Sequence, residues 1–294
     1  MVSRLTLGTA QLGLDYGINN KSGKPLKKKA LEILEFAFTN GIRSFDTASA
    51  YGDSETILGD FLRSKEHSSC YITSKLGPLA KNNIRHNNLE QEIFQRIQTS
   101  LTNLKIECID NYLIHDFQDI ALYDELIPIL IKAKNSGLIK SIGVSVYTPQ
   151  EAEKIIEITE FDTIQIPLSI LDQRFLKNLL LKRLKECGFT IFSRSVFLQG
   201  LLFMDVNNLP LNLTSANKYL TELNRLAQEN STNLSKLALG FVNSIEEIDS
   251  IIIGVDSVLQ LKQNIEDFKS LDIFPFDTSI FANIDENIID PRKW

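Results

Sequence analysis

No stretch of this chain approaches the roughly 18 uninterrupted apolar residues that a membrane-crossing helix needs. Cysteine is scarce: Cys70, Cys108 and Cys187 are odd in number and none sits in C-x-x-C spacing. A disulfide framework or a cysteine zinc site is therefore a poor reading, and no metal is expected. Each cysteine lies beside an apolar run, so all three are expected to be buried, reduced thiols. The N-terminal residues MVSRLTLGTAQLG lack the apolar core of a secretory leader, which points to a cytoplasmic protein. Positive charge is not in excess either. With 31 basic against 37 acidic residues the net charge is −6, which argues against a nucleic-acid or anionic-membrane partner. No G-x-G-x-x-G occurs, so a Rossmann turn is excluded. GTAQLG (Gly8 to Gly13) has two glycines but lacks the Lys-Ser/Thr of a phosphate loop. No Pro/Ser/Gly-rich linker interrupts the chain, which reads as one domain over 1–294.

What is present is an alternation of two periodicities. Short β-branched or apolar runs occur at Leu5 to Thr9, Ser44 to Thr47, Tyr71 to Lys75, Ile109 to His115, Ile142 to Ser145, Thr163 to Pro167, Thr190 to Ser195 and Ile251 to Gly254. Between them lie stretches such as LKKKALEILEFAFTN, NLEQEIFQRIQTSLTNL and YDELIPILIKAKNSG, whose apolar residues recur every three or four positions along one helix face. Gly41, Gly137 and Gly188 stand where helices should stop, Pro149 at an N1 position and Ser54 at an N-cap. Strand–helix repetition with short connections implies parallel strands joined by crossovers. Eight such units predict an α/β fold, a closed (β/α)8 TIM barrel. Residues 201–215 form a long connection after the seventh strand, and the tail from Asp272 to Trp294 is expected near the barrel mouth.

In parallel barrels the chemistry sits at the carboxyl ends of the strands. Those ends carry Thr9, Asp46, Lys75, His115, Ser145, Gln165, Ser195 and Gly254, with Tyr51 five residues past Asp46. Each has an ordinary structural explanation alone: a turn-capping Asp, a snorkelling Lys, a core His. Four complementary groups converging on one mouth make that account a poor one.

The phrase FDTASAYGDSETILG (Phe45 to Gly59) resembles the D-T-A-x-x-Y-G-x-S-E-x-x-L-G motif of the aldo-keto reductases. ITSKLG and YLIHDF place Lys75 and His115 at that family's lysine and histidine, so Asp46, Tyr51, Lys75 and His115 match its catalytic tetrad. GVS (Gly143 to Ser145), Gln165, QGLL (Gln199 to Leu202) and IIIGVDS…QLKQNI extend the resemblance over nearly the full length. It implies hydride exchange between a nicotinamide cofactor and a small-molecule carbonyl substrate, with Tyr51 as general acid/base. Lys75 would lower the phenol's pKa, Asp46 would hold Lys75, and His115 would orient the substrate oxygen.

By the same resemblance Thr9, Ser145 and Gln165 meet the nicotinamide, and Asp46 counts among the cofactor-binding residues. Ser195, Gly254, Ser257, Gln260 and Asn264 meet the phosphates and adenosine. Arg194 stands where the family has an aromatic ring stacked on the nicotinamide, with Phe192 as the alternative at a shifted register. The implied cofactor is NADPH, with NADH left open because Gln260 replaces the usual arginine and Asp256 adds a negative charge. Asn19, Asn20, Asp116, Gln118 and Asn207, on loops expected to shape the pocket, hint at a sugar or sugar derivative. Two other readings stay open: a Schiff-base barrel aldolase acting through Lys75, and a cofactor-binding regulatory subunit.

Overall fold

The computed structural model describes residues 2–65, 69–79, 88–271 and 274–294. Its strands are β1 (Leu5–Gly8), β2 (Ser44–Asp46), β3 (Tyr71–Leu76), β4 (Ile109–Ile114), β5 (Ile139–Ser145), β6 (Thr163–Pro167), β7 (Thr190–Arg194) and β8 (Ser250–Gly254). They pair in chain order, all parallel, and β8 closes on β1 through Leu5↔Ile251 to Gly8↔Gly254. The predicted (β/α)8 barrel is the observed fold.

Helices separate the strands: α1 (Ala10–Gly13), α2 (Lys27–Thr39), α3 (Ser54–Leu62), α4 (Leu89–Leu104), α5 (Gln118–Leu122), α6 (Leu126–Asn135), α7 (Pro149–Ile155) and α8 (Leu180–Glu186). Beyond β7 come α9 (Asn217–Glu229) and α10 (Leu234–Asn243), then α11 (Val258–Lys269) after β8 and α12 (Glu286–Ile289) in the tail. Strands covered on both faces carry continuous burial, and all six residues of β4 are buried. The polar residues inside the barrel satisfy one another: Thr163 Oγ1 donates to Asn111 Oδ1 at 2.7 Å, and Asn111 Nδ2 to Thr73 Oγ1 at 3.2 Å.

At the amino ends of the strands one device recurs. A carboxylate at or just ahead of the start of one strand accepts a backbone N–H from a neighbouring strand: Asp110 from Ile72 at 2.9 Å, Asp162 from Ile142 at 2.8 Å, Asp249 from Ile191 at 2.7 Å. Each is also paired with a lysine, respectively Lys140, Lys134 and Lys185. These pairs fasten the bottom of the barrel and leave the carboxyl ends to the loops.

Gly41, Gly137 and Gly188 have φ of 96°, 77° and 88°, with open space where a Cβ would sit. Conformation rather than crowding selects glycine at these helix ends. Pro149 occupies N1 behind the capping box of Thr148 and Glu151. Ser54 differs from expectation: Asp53 is the N-cap of α3 and Ser54 its first residue, because the Ser54 hydroxyl is engaged elsewhere. The thiols differ too. Cys70 is buried, but Cys108 is half-buried and Cys187, at the end of α8, is exposed, since an apolar run has an outer face as well.

The connection after β7 is compact, with short 3-10 segments at Leu198–Phe203 and Leu211–Ala216. Asp272 lies outside the described residues. The end of the tail does reach the mouth, where the Arg292 guanidinium lies 3.8 Å from the centroid of the Tyr147 ring, held by an ion pair with Asp290.

Candidate active site

The segment Phe45 to Gly59 is built almost entirely of seating contacts. Ser54 Oγ donates to the Thr9 carbonyl at 3.0 Å and contacts Thr47 Oγ1 at 2.9 Å, tying α3 to the ends of β1 and β2. Glu55 is buried and accepts from Ser74 Oγ on β3 at 2.6 Å. A Cβ on Gly59 would stand 2.1 Å from the Asn103 carbonyl, so α3 and α4 touch there backbone to backbone. Gly52 has φ of 58°, and a Cβ on Gly13 would lie 2.0 Å from the Tyr51 carbonyl. The second glycine of GTAQLG therefore makes room for the Tyr51 turn to sit on α1.

Around that turn the four strand-end groups meet. Lys75 is fully buried; its Nζ donates to Asp46 Oδ1 at 2.5 Å and to the Thr47 carbonyl at 2.8 Å. The same Nζ stands over the face of the Tyr51 ring, 4.9 Å from its centroid. The His115 ring meets Tyr51 at right angles, centroids 5.6 Å apart. Asp46 Oδ2 accepts from Gln165 Nε2 at 2.7 Å, so both carboxylate oxygens are committed.

The electrostatics run opposite to the sequence expectation. Burial pushes the Tyr51 phenol above its ordinary range and the Asp46 carboxylate adds to the rise; the opposing cation is Arg194. Lys75 does not act as a free positive charge, because Asp46 neutralises it at contact distance and its ammonium faces the ring. Burial pulls the Lys75 ammonium down and Asp46 opposes that. Tyr16 is pushed up to about 12, chiefly by burial, then by Tyr51.

Above the cluster opens a cavity of about 390 Å³. Thr9, Asp46, Tyr51, His115, Ser145, Gln165, Arg194, Ser195, Gly254, Gln260 and Asn264 all line it. Lys75 lies beneath the wall and Ser257 behind it, where the Ser257 hydroxyl accepts from Gln260 N and caps α11. The alternative residue Phe192 does not line the cavity and is buried against Tyr71. The Arg194 guanidinium stacks on Tyr147 at 4.2 Å and donates to the Val146 carbonyl at 2.9 Å. Sequence reading missed Tyr16, Gln11, Tyr147, Gln199 and Phe203, which complete the wall. Gln11 and Gln199 stand inside GTAQLG and QGLL, and Phe203 in the connection over 201–215, so their positions were available signals. Ser195, Leu198 and Gln199 have φ of 63°, 44° and 54°, backbone strain held in the loop that forms the rim.

The loop polar residues mostly serve the loops. Asn20 is saturated by Tyr16, Ser22 and Gly23, Asp116 accepts from Gln118 N, and Asn207 is bonded to Asp205. Asn19 and Asn20 alone among the five line the cavity.

The family model described as "Aldo/keto reductase family" matches residues 4–289. The chain belongs to the aldo-keto reductases. The L-glyceraldehyde 3-phosphate reductase of Escherichia coli (strain K12) is 26% identical, covering 98% of this chain and 91% of its own. The L-galactose dehydrogenase of Arabidopsis thaliana is 25% identical over 99% and 92%. Among solved structures the holo form of aldo-keto reductase AKR11C1 from Bacillus halodurans superposes with a TM-score of 0.76 at 21% identity, over 98% and 96% of the two chains. This member thus shares the barrel of an oxidoreductase family, and its cavity opens at the strand ends where the family motif falls.

Proposed function

We propose that this aldo-keto reductase moves hydride between a nicotinamide dinucleotide and a carbonyl compound, with Tyr51 as the acid/base. The observation that carries the reading is the placement of Tyr51, edge-on to His115 in the cavity wall with the Lys75–Asp46 pair directly beneath its ring. The residues suit an elongated cofactor, since the cavity runs from these central groups out to Ser235 on α10 and Asn264 on α11. Gln165 fits the nicotinamide end. Its Nε2 is committed to Asp46, which leaves its carbonyl oxygen as the acceptor for an amide N–H. Thr9 and Ser145 lie in the same wall.

A bound nicotinamide supplies hydride to the carbonyl carbon. Negative charge then develops on the carbonyl oxygen, and Tyr51 and His115 are the donors set to meet it. A phenol holds its proton at neutral pH, which is the state a general acid needs. Once the proton has left, Arg194 is the cation that favours the phenolate. The aldolase reading fails on placement: Lys75 is fully buried, ion-paired and absent from the cavity wall.

For the substrate, the names of the two relatives support a sugar or sugar-derived carbonyl more than the loop asparagines do. The reading places the protein in the cytoplasm as one barrel over 1–294. Tyr51→Phe tests the central claim. Turnover of a panel of aldehydes should vanish while dinucleotide binding persists; retained turnover removes Tyr51 from the mechanism.

A further inference from the structure

Tyr16, on the loop between α1 and α2, lines the cavity, and among the described residues its hydroxyl has no hydrogen-bond partner. The loop that carries it is pinned at several points. Asn20 Nδ2 donates to the Tyr16 carbonyl at 3.2 Å and to the Gly23 carbonyl at 3.3 Å, while Asn20 Oδ1 accepts from Gly23 N at 2.9 Å. Gly17 has φ of 106°, and a Cβ there would come within 3.3 Å of the Gln199 carbonyl. A Cβ on Gly200 would stand 2.9 Å from Asn19 Cβ, so this loop packs closely on the loop after β7. Further along, Lys24 is ion-paired with Asp53, the N-cap of α3. Burial, then Tyr51, pushes the Tyr16 phenol up to about 12, so it is neutral at working pH; Arg194 and Lys75 act on it in the opposite sense. The groups that act on its acidity are those of the barrel mouth, so the hydroxyl looks toward Tyr51 rather than back into its own loop.

A fixed, neutral hydroxyl both donates and accepts, and the ligand group that matches it is another hydroxyl. We propose that Tyr16 hydrogen-bonds a hydroxyl on the carbon next to the substrate carbonyl, and so makes this reductase selective for 2-hydroxyaldehydes over plain aldehydes. The proposal rests on the reading above, in which Tyr51 and His115 meet the carbonyl oxygen; Tyr16 is the positioning residue that turns the rest of the substrate. An aldehyde without the hydroxyl would press an apolar chain against the phenol and strip it of water with nothing in return. Sites built to hold a hydroxyl reject the analogue lacking it for that reason, more strongly than apolar pockets reject by size. Tyr16 is only half-buried, so the discrimination is on the scale of one hydrogen bond. An anionic substituent suits the position less well, because the neutral phenol offers a single donor and Arg194 is stacked on Tyr147 and donating to the Val146 carbonyl.

Steady-state reduction of 2-hydroxypropanal and of propanal, which differ by one hydroxyl, tests it in the unaltered protein and in Tyr16→Phe. By kcat/KM the unaltered protein should favour 2-hydroxypropanal about tenfold, the factor that one hydrogen bond supplies. Tyr16→Phe keeps the ring and removes only the oxygen. It should raise KM for 2-hydroxypropanal about tenfold with much less change in kcat, the signature of lost substrate binding, and leave propanal within about twofold. A ring that merely packs would give a different result, with both aldehydes affected alike. The proposal is overturned if the unaltered protein does not favour 2-hydroxypropanal, if Tyr16→Phe leaves the preference intact, or if it weakens both aldehydes equally. An unaltered protein inactive on the whole aldehyde panel, or a Tyr51→Phe protein that still turns it over, would instead remove the reductase reading, and this proposal with it.

Discussion

Gln165 donates through Nε2 to Asp46 Oδ2 at 2.7 Å, joining β6 to β2 across the mouth of the barrel. The two strands stand diametrically opposite in an eight-strand ring, so the bond spans the opening rather than running along the sheet. Asp46, paired with Lys75, accepts in this bond, which sets the orientation of the Gln165 amide. Gln165→Leu should cost about 1–3 kcal/mol, the usual penalty for leaving a buried acceptor without its donor. Urea unfolding of the two proteins measures it, and an unchanged midpoint would mean the bond contributes nothing net.

The Lys75–Asp46 pair predicts a larger loss. Lys75→Met leaves Asp46 charged in a wall that hydrates it poorly, at about 3–5 kcal/mol. Lys75→Met combined with Asp46→Asn should recover part of this, because no uncompensated charge remains. A double variant as unstable as the sum of the single changes would show that the pair acts independently of charge.

Gly13 gives a prediction at a distance from the chemistry. An alanine there would put its methyl 2.0 Å from the Tyr51 carbonyl, so the Tyr51 turn must move. A shift of that kind costs on the order of 100-fold in rate where the acid must meet a reacting atom. Gly13→Ala should therefore keep its circular dichroism and lose carbonyl reduction; full activity would mean that α1 does not seat Tyr51.

Alkaline stability follows from Tyr112, which is fully buried on β4 and whose phenol is raised, chiefly by burial and then by Glu55. In the unfolded chain a tyrosine gives up its proton near pH 10. Below that pH both states are protonated and the contribution is whole. Above it the folded chain binds the extra proton, so stability falls as pH rises, by about 1.4 kcal/mol per pH unit for this group. Unfolding midpoints at pH 9, 10 and 11 should fall more steeply for the native sequence than for Tyr112→Phe. Equal slopes would place the Tyr112 phenol at its ordinary value.

Much of the barrel is readable along the chain, because strand and helix periodicities are local and eight repeats leave few topologies. The observed β6 has the bounds read from the residues, and the other strands differ by one to three residues at an end. The quartet Asp46, Tyr51, Lys75 and His115 was legible for a related reason: parallel strands deliver their carboxyl ends to one face. The resemblance counts Ser257 among the cofactor-binding residues; its hydroxyl turns back to cap α11, an orientation that no motif encodes.

The sequence alone thus determined the order of the elements, the face on which chemistry gathers and the residue types available there. Which way each side chain turns was decided by packing between segments far apart in the chain. Tertiary contacts put Lys75 under the Tyr51 ring and set Arg292 of the tail on Tyr147. Those outcomes depend on rotamers chosen by neighbours in three dimensions and on burial that no spacing encodes. That is why even the direction of the Tyr51 shift had to come from the folded molecule.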